Sequence, residues 1–225
     1  MTMLTKLVRR WRPNADFEGV SASVLARWMF HLALLPALRG LSMAARGRAS
    51  FPFLRGRRVR ILFAERFSAG PGLVLGDGVR IQALAVKGVT IGSRVTIREG
   101  GWIQCASSPA NPGDGLVIGS DVYIGPGVIL GVGGTIRIGD GCQFGANVTL
   151  IAENHAITDE LELKDGAVSR RGIEIDDNCW LGHGVTVLDG VRLGPGCVVG
   201  AGSVVTKSFP ALSRIAGSPA RAIGS

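Results

Sequence analysis

The chain has few of the residues that usually build metal, redox or aromatic sites. It contains three histidines, four cysteines and one tyrosine among 225 residues, and aromatic residues make up 6% of the sequence. No two cysteines form a CxxC pair, and the cysteines and histidines do not form an array with zinc-finger spacing. These absences argue against a structural zinc site and a dithiol redox motif, and nothing in the cysteine pattern requires an oxidising compartment.

Long uninterrupted apolar segments are also missing. Residues 1–20 contain no apolar core followed by a small-residue cleavage site, so no secretory signal is predicted. The apolar stretch 24–45 is interrupted by Arg27, His31, Pro36 and Arg39, whereas a spanning helix needs about 20 mostly apolar residues. We therefore expect a helix that does not cross a membrane, and a protein of the cytoplasm.

Acidic residues are scarce only in the first third of the chain, and this asymmetry sets the net charge of +8. Residues 1–66 hold 13 Lys/Arg against 3 Asp/Glu, whereas residues 67–225 hold 12 against 14. The positive excess therefore belongs to the N-terminal segment, and it gives no reason to predict nucleic acid as a partner of the main domain.

Glycine, in contrast, is abundant, with 34 residues that recur inside apolar segments. From Ile91 onward an aliphatic residue, often followed by Gly or Asp, returns every six positions, as in the series Ile118, Ile124 and Leu130. A six-residue unit of strand and turn cannot bury its apolar side alone, but three units form a triangular coil and stacked coils bury one core. The spacing predicts an all-β fold, a parallel β-helix, because a β-sandwich would show irregular spacings of about 8–12 residues.

The coil length of 18 residues locates the insertions. Ile91 and Ile118 are 27 residues apart, which leaves nine extra residues around "QCASSPANPGDG"; Ile118 and Ile138 are 20 apart, which leaves two near "GVGG". Ile138 and Ile175 are 37 apart, so 19 extra residues fall within "LIAENHAITDELELKDGAVSRRGIEI" (150–175). Both large insertions leave from the third side of a coil, so we expect them to project from one flank, where loops on a rigid scaffold often carry function.

The same register places three cysteines, Cys142, Cys179 and Cys197, at one point of consecutive coils. Coils stack about 4.8 Å apart. We therefore predict a buried ladder of free thiols without disulfides.

The repeat and the tail "VVGAGSVVTKSFPALSRIAGSPARAIG" (198–224) resemble the hexapeptide-repeat acyltransferases, over roughly residues 70–223. The resemblance implies a left-handed β-helix, although ordinary parallel crossovers are right-handed. We accordingly divide the chain into a basic, partly helical segment (1–66), a β-helix (67–210) and a capping segment (211–225). The resemblance also implies a homotrimer with active sites at the subunit boundaries.

The polar insertion that opens with "AENH" resembles the catalytic loop of that family, in which the histidine is the general base. An imidazole with a pKa of about 6.5 can accept a hydroxyl proton at neutral pH, and the resemblance assigns this role to His155. Asp159 is the preferred orienting carboxylate, with Glu160, Glu162 and Asp165 as alternatives. Asn147 and Asn154 are candidate acceptor contacts.

The tail resembles the coenzyme A signature of the family, "GAGSVVTK" followed by "AGxPA[RK]". In this interpretation Ala201 offers peptide groups to an extended pantetheine, and Thr206, Lys207 and Arg221 meet the nucleotide phosphates. Trp180, at an outward position, lines the place where thioester and acceptor meet.

These features predict an acetyl-CoA-dependent O-acetyltransferase that modifies a sugar hydroxyl of a surface polysaccharide or its precursor, with no metal. A streptogramin-type antibiotic acetyltransferase and a non-catalytic β-helix scaffold are the alternatives. The related gamma-class carbonic anhydrases use three histidine ligands, two of them spaced HxxxxH, and this chain lacks that spacing.

The N-terminal segment has two interpretations. The apolar run 24–45 precedes "RGRASFPFLRGRRVR", and an apolar helix beside clustered arginines is typical of peripheral binding to anionic membranes. Alternatively the helix covers the first coil, whose open edge needs protection.

Overall fold

A computed structural model describes residues 21–155 and 168–224. Its N-terminal part is helical, with α1 (Ala22–Met29), a π-helical turn (Phe30–Leu34) and α2 (Leu35–Ala44). The predicted helix over the apolar run is therefore confirmed. No helix in the described ranges is long and apolar enough to span a bilayer.

The rest of the described chain consists of short strands, with one 3₁₀ turn at Ala64–Arg66. In chain order they are β1 (Phe53–Arg55), β2 (Arg60–Leu62), β3 (Phe67–Ala69), β4 (Leu73–Leu75), β5 (Arg80–Gln82), β6 (Val89–Ile91), β7 (Thr96–Ile97), β8 (Trp102–Gln104), β9 (Ala106–Ser108), β10 (Asn111–Pro112), β11 (Leu116–Ile118), β12 (Tyr123–Ile124), β13 (Ile129–Gly131), β14 (Ile136–Ile138), β15 (Gln143–Phe144), β16 (Thr149–Ile151), β17 (Asn154–His155), β18 (Val168–Ser169), β19 (Ile173–Ile175), β20 (Trp180–Leu181), β21 (Thr186–Leu188), β22 (Arg192–Leu193), β23 (Val198–Val199), β24 (Val204–Val205), β25 (Arg214–Gly217) and β26 (Ala220–Ala222).

The strands form three sheets, which are the three faces of the β-helix, and apart from β26 the strands within each sheet are parallel. The chain contributes one strand to each face in turn. Face I contains β3, β6, β11, β14, β19 and β22; face II contains β1, β4, β7, β12, β15, β20, β23 and β25, with β26 added antiparallel at its end; face III contains β2, β5, β8, β13, β16, β21 and β24. The predicted equivalences hold, because Ile91 pairs with Ile118, Ile118 with Ile138, and Ile138 with Ile175. The aliphatic residue of each repeat points inward and forms one continuous core.

The β-helix begins earlier than the predicted boundary at residue 67. Strands β1 and β2 lie within the segment assigned to the basic leader, yet they pair in parallel with β4 and β5. Arginines at turns and outward positions conceal the repeat here, while Phe53 and Val59 supply buried side chains. At the other end β25 continues face II beyond residue 210, and β26 folds back on it.

The helical segment packs on the first strand of face II. Gly40 of α2 lies so close to the Phe53 carbonyl that an added Cβ would overlap it, and Met43 is buried with the core. Helix α2 therefore covers the edge of β1, as the capping interpretation predicts.

The predicted thiol ladder is confirmed. Cys142, Cys179 and Cys197 are fully buried and free, and each donates its thiol hydrogen to a backbone carbonyl of the following coil at 3.1–3.3 Å. Cys105 is buried at the root of the first insertion, where burial raises the pKa of its thiol to about 12.

Two of the three corners of each coil share one backbone conformation. The third residue of the turn is left-handed at the I–II and II–III corners, in glycines and in a smaller set of other residues: Arg58, Arg94, Asp121, Asn147, Asn178 and Leu212. Only Gly, and to a lesser degree Asn and Asp, adopts this region at low cost. The third corner, III–I, has no such uniform turn and is where both insertions leave the coils.

Candidate active site

Both predicted insertions project from the III–I corner. The first lies between β8 and β11 and forms an antiparallel hairpin of β9 and β10. The second lies between β16 and β19, and its two arms pair antiparallel at the root, with Asn154 opposite Ser169 and His155 opposite Val168. The backbone of the predicted base is therefore held where the insertion leaves the scaffold. Asp159 and the alternative carboxylates at 160, 162 and 165 lie outside the described residues.

Arg170 joins the two insertions. Its Nε donates to Oε2 of Glu153 at 2.8 Å, across the root of the second insertion. Its Nη1 donates to the Pro112 carbonyl at 3.1 Å and its Nη2 to Oδ1 of Asn111 at 2.9 Å, both in the hairpin of the first insertion. These contacts confirm that the two insertions share one flank.

A buried carboxylate ties the second insertion to the following coil. The Asp189 side chain is fully buried, and its Oδ1 accepts from the Gly172 amide at 2.7 Å. Its Oδ2 accepts from the Arg171 amide at 3.1 Å and from the Ser169 hydroxyl at 3.2 Å. The carboxylate therefore accepts hydrogen bonds from the donors of the chain at the point where the second insertion re-enters the β-helix.

A second group of predicted site residues lies along the II–III corner and the adjoining face. Asn147 and Ala201 occupy this corner in two coils, and His183, which was not predicted as a site residue, occupies it in the coil between them. The Ala146 and His183 carbonyls accept from the amides of the coil that follows each. The coils approach closely here, since a Cβ added at Gly182 would lie 2.7 Å from the Ala201 nitrogen. The backbones of successive coils are therefore in close contact at this corner.

Trp180 lies on face II beside that corner. It is paired in register with Gln143 and Val198 of the neighbouring coils, and 58% of its surface is exposed. The outward position predicted from the repeat is confirmed. A large apolar side chain with so much exposure is available to a ligand or to another chain.

The tail residues separate into two places. Thr206 and Lys207 are exposed at the III–I corner after β24, and Nζ of Lys207 lies 5.7 Å from the Phe209 ring centroid. Arg221 is in β26 opposite Ala216, at the end of face II, and its guanidinium donates to the Ala220 carbonyl.

Apart from Arg221 at the end of face II, the described site residues thus lie on or beside the two edges that bound face III, not in one cleft. Asn154, His155, Thr206 and Lys207 are on the III–I edge, whereas Asn147 and Ala201 are on the II–III edge, with Trp180 next to it. Among the described side chains no hydrogen bond or ion pair joins the two edges, and no group of three His, Cys, Asp or Glu residues is placed to hold a metal ion.

Sequence reasoning missed Arg170 and Asp189. Asp189 stands in "VLDGV", which has the form of an ordinary coil turn, and Arg170 contacts a residue 59 positions away. The "SRRG" preceding the re-entry of the repeat was the only local signal.

Comparisons with known proteins agree with the repeat and the faces. Residues 172–207 match the bacterial transferase hexapeptide family (six repeats). A galactoside O-acetyltransferase of Lactococcus lactis is 39% identical over 98 residues, covering 44% of this chain and 47% of the relative. The galactoside O-acetyltransferase of Escherichia coli is 34% identical over 130 residues, covering 57% and 62%. The chain therefore spans about half to three fifths of the length of these two relatives.

Solved structures share the fold at low sequence identity. An N-acyltransferase of Bacillus cereus, AntD, in complex with dTDP and coenzyme A, superposes with a TM-score of 0.56 at 18% identity, covering 75% of this chain and 84% of that one. A putative acetyltransferase of the same organism superposes with a TM-score of 0.55 at 20% identity, covering 74% and 83%. The matched repeats, the three sheets of parallel strands and these similarities together show that the chain folds as a left-handed parallel β-helix of hexapeptide repeats.

Proposed function

We propose that the protein is an acetyl-CoA-dependent O-acetyltransferase that modifies a sugar hydroxyl of a surface polysaccharide or its precursor. The observation that carries the proposal is the antiparallel root of the second insertion, which fixes the backbone of Asn154 and His155 at an edge of a rigid scaffold. A six-residue repeat needs no such insertion for its own stability. The galactoside O-acetyltransferases among the relatives support a sugar acceptor.

In the proposed mechanism His155 accepts the proton of the sugar hydroxyl as the oxygen attacks the thioester carbonyl. Backbone amides stabilise the oxyanion, the C–S bond then breaks, and the imidazolium returns its proton to the departing coenzyme A thiolate. General-base assistance of this kind contributes about 10²–10⁴-fold. Direct transfer is favoured over an acyl-enzyme because all four cysteines are buried.

The donor site is proposed along the II–III corner and the tail. Gly200 and Gly202 flank the exposed Ala201, so an extended pantetheine could lie against the backbone without meeting side chains. Lys207 and Arg221 supply the positive charge that phosphates require, and Thr206 adds a hydroxyl. Trp180 would cover the thioester end.

A homotrimer would bring the two edges together. Face III carries two adjacent exposed apolar side chains, Trp102 and Ile129, which are in register and are 47% and 38% exposed, between Arg80 and Thr149 of the neighbouring coils. Face I instead carries charged residues at equivalent outward positions: Arg137, Glu174 and Arg192. If face III turns toward a threefold axis, the III–I edge of one subunit meets the II–III edge of the next, and each site takes His155 from one chain and Ala201 from its neighbour.

This assembly is tested by placing charge on face III. Trp102→Glu and Ile129→Glu should give monomers without acetyl transfer. Val117→Glu is the matched control, because Val117 is also 38% exposed but lies on face I. Light scattering that shows an active monomer, or a trimer unaffected by both face III variants, would contradict the arrangement.

The helical segment is proposed to attach the protein to anionic membrane in addition to capping the β-helix. Its exposed apolar residues follow one side of the helix, away from Gly40 and Met43: Phe30, Leu34, Leu38 and Leu41. No acidic residue occurs from 19 to 64, while eight arginines do, and each basic residue near anionic lipid contributes about 1 kcal/mol. Co-sedimentation with phosphatidylglycerol vesicles should weaken as salt is added and in the double variant Leu34→Ser/Leu38→Ser. If the protein does not bind these vesicles at low salt, membrane attachment is refuted and capping of the β-helix is the only role of the helical segment.

Thiol release from acetyl-CoA, measured with a panel of saccharides and streptogramin antibiotics, tests the activity itself. His155→Ala should lose at least 100-fold in kcat while acetyl-CoA still binds and thermal unfolding is nearly unchanged. Residual activity within tenfold would exclude His155 as the base. Binding of acetyl-CoA without turnover on any acceptor by the parent protein would favour a scaffold.

A further inference from the structure

We propose that Arg170 and Asp189 are positioning residues that hold the backbone of His155 and fasten it to the hairpin of the first insertion. The proposal rests on the proposed function, since it concerns the same base. It assigns no contact with a reactant to either residue. Both residues are assigned to the hydrogen-bond network that fixes the position of the His155 backbone.

Arg170 uses its planar guanidinium as a three-way junction. Its Nε and Nη2 lie 2.8 Å from Oε2 of Glu153, Nη2 also donates to Asn111 at 2.9 Å, and Nη1 donates to the Pro112 carbonyl at 3.1 Å. The arginine and glutamate side chains are only 22% and 29% exposed, so this ion pair is screened less than a surface pair. Lysine could not replace it, because a single ammonium lacks the fixed fork that addresses three acceptors in different directions.

The position of this junction in the chain is what connects it to the base. Glu153 directly precedes Asn154–His155, and Arg170 directly follows Val168–Ser169. The ion pair therefore closes the open side of the antiparallel root. The bonds to Pro112 and Asn111 then stop the root from moving relative to the hairpin.

Asp189 holds the same root from the opposite side. It lies in the coil below, and its two oxygens accept from Ser169, Arg171 and Gly172. The only described cation near it is Nε of Arg171, at 3.7 Å on a largely exposed side chain. The fully buried carboxylate thus accepts mainly from amide and hydroxyl donors of residues 169–172. Because these bonds are lost if the backbone moves, they favour one conformation of this segment.

The coils themselves do not depend on this framework. On both sides of the insertion the strands are paired in register by backbone hydrogen bonds, β14 with β19 and β16 with β21. Loosening the root should therefore displace the base without unfolding the β-helix. Because a displacement of about 1 Å can cost about 10²-fold in rate, the effect should appear in kcat.

The test compares Arg170→Ala, Arg170→Lys, Asn111→Ala and Asp189→Asn with the parent. Arg137→Ala on face I serves as the matched control, because it also removes an arginine from the β-helix. We expect Arg170→Ala and Asp189→Asn to lower kcat by 10- to 100-fold, with KM for acetyl-CoA within twofold of the parent. Arg170→Lys should recover little, Asn111→Ala should fall between, and the pH at half-maximal kcat/KM should not move because the base is unchanged.

The outcomes separate this proposal from the proposed function. If the parent is inactive on every acceptor, or His155→Ala stays active, the proposed function fails first. If His155→Ala is inactive while Arg170→Ala and Asp189→Asn keep kcat within twofold, the positioning roles are refuted. They are refuted also if activity is lost only in proportion to the unfolded fraction measured by circular dichroism. Arg170→Ala keeps the test decisive if Asp189→Asn does not fold, since Arg170 lies outside the core.

Discussion

The close approach of the coils at the II–III corner makes a sharp prediction about two neighbouring glycines. At Gly182 an added Cβ would lie 2.7 Å from the nitrogen and 3.0 Å from the Cα of Ala201. These are backbone atoms of the next coil, which is tied on both sides of the corner by hydrogen bonds of 2.8 Å. Gly182→Ala must therefore open the stack by a few tenths of an ångström, and overpacking of this kind costs about 1–3 kcal/mol.

Gly184, two residues later in the same corner, provides the matched control. An added Cβ there would meet no atom within 4 Å, but φ is +66°. The left-handed conformation costs alanine about 1–2 kcal/mol, and the reduced freedom of the unfolded chain offsets about 0.5–1 kcal/mol of that. We expect a loss in unfolding free energy of about 2 kcal/mol for Gly182→Ala and a smaller loss, between about 0 and 1.5 kcal/mol, for Gly184→Ala.

Urea unfolding measures both losses, provided that the two variants keep the slope of the parent. Gly182→Ala should in addition raise KM for acetyl-CoA, because it displaces the Ala201 backbone proposed to contact the pantetheine. An unfolding midpoint for Gly182→Ala equal to or above that of Gly184→Ala would show that coil spacing at this corner does not limit side-chain size.

Three further predictions concern other parts of the chain. Lys207→Ala and Arg221→Ala should each raise KM for acetyl-CoA with little change in kcat, since phosphate contacts distant from the thioester contribute uniform binding; a change confined to KM of the acceptor would place the donor elsewhere. Leu212→Gly should stabilise the protein by about 0.5–1 kcal/mol, because Leu212 has φ +62° and is 78% exposed, so relief of the left-handed strain outweighs the added freedom of the unfolded chain; a lower thermal midpoint would contradict this. Burial raises the pKa of the Cys105 thiol to about 12, so the thiol of the unfolded chain ionises at lower pH than the folded one. The free energy of unfolding should therefore fall from pH 9 toward 12, by up to about 1.4 kcal/mol per pH unit. Cys105→Ala should reduce this fall, measured as urea midpoints, and the same pH profile in the variant and the parent would refute the prediction.

The fold was predictable from the sequence where backbone geometry alone determines the pattern. A coil of 18 residues forces Ile118, Ile138 and Ile175 onto one face, and no tertiary information is needed to find the extra residues between them. The first coil was not found, because arginines hide the repeat around Phe53 and Val59. Inward positions there remain apolar, but the Gly–Asp turns that mark later coils are missing.

The candidate site was less accessible to sequence reasoning. His155 and Ala201 could be named from motifs, but their separation onto two edges depends on how many coil sides lie between them. Arg170 and Asp189 are harder still, since their partners are fixed by the meeting of two insertions and by the stacking of coils. Nothing within a window of a few residues distinguishes a buried Asp189 from the exposed acids of similar turns.

The coverings at the two ends of face II have a consequence for how copies of this chain can associate. A stack of identical coils is in principle a template for endless polymerisation, because the last strand of one molecule could receive the first strand of another. Here α2 covers β1, and β26 pairs antiparallel with β25. A second molecule would therefore contact a helix at one end of face II and an antiparallel strand at the other. Axial pairing of one molecule with another through face II is therefore blocked at both ends, whereas lateral contact through the faces does not meet this barrier.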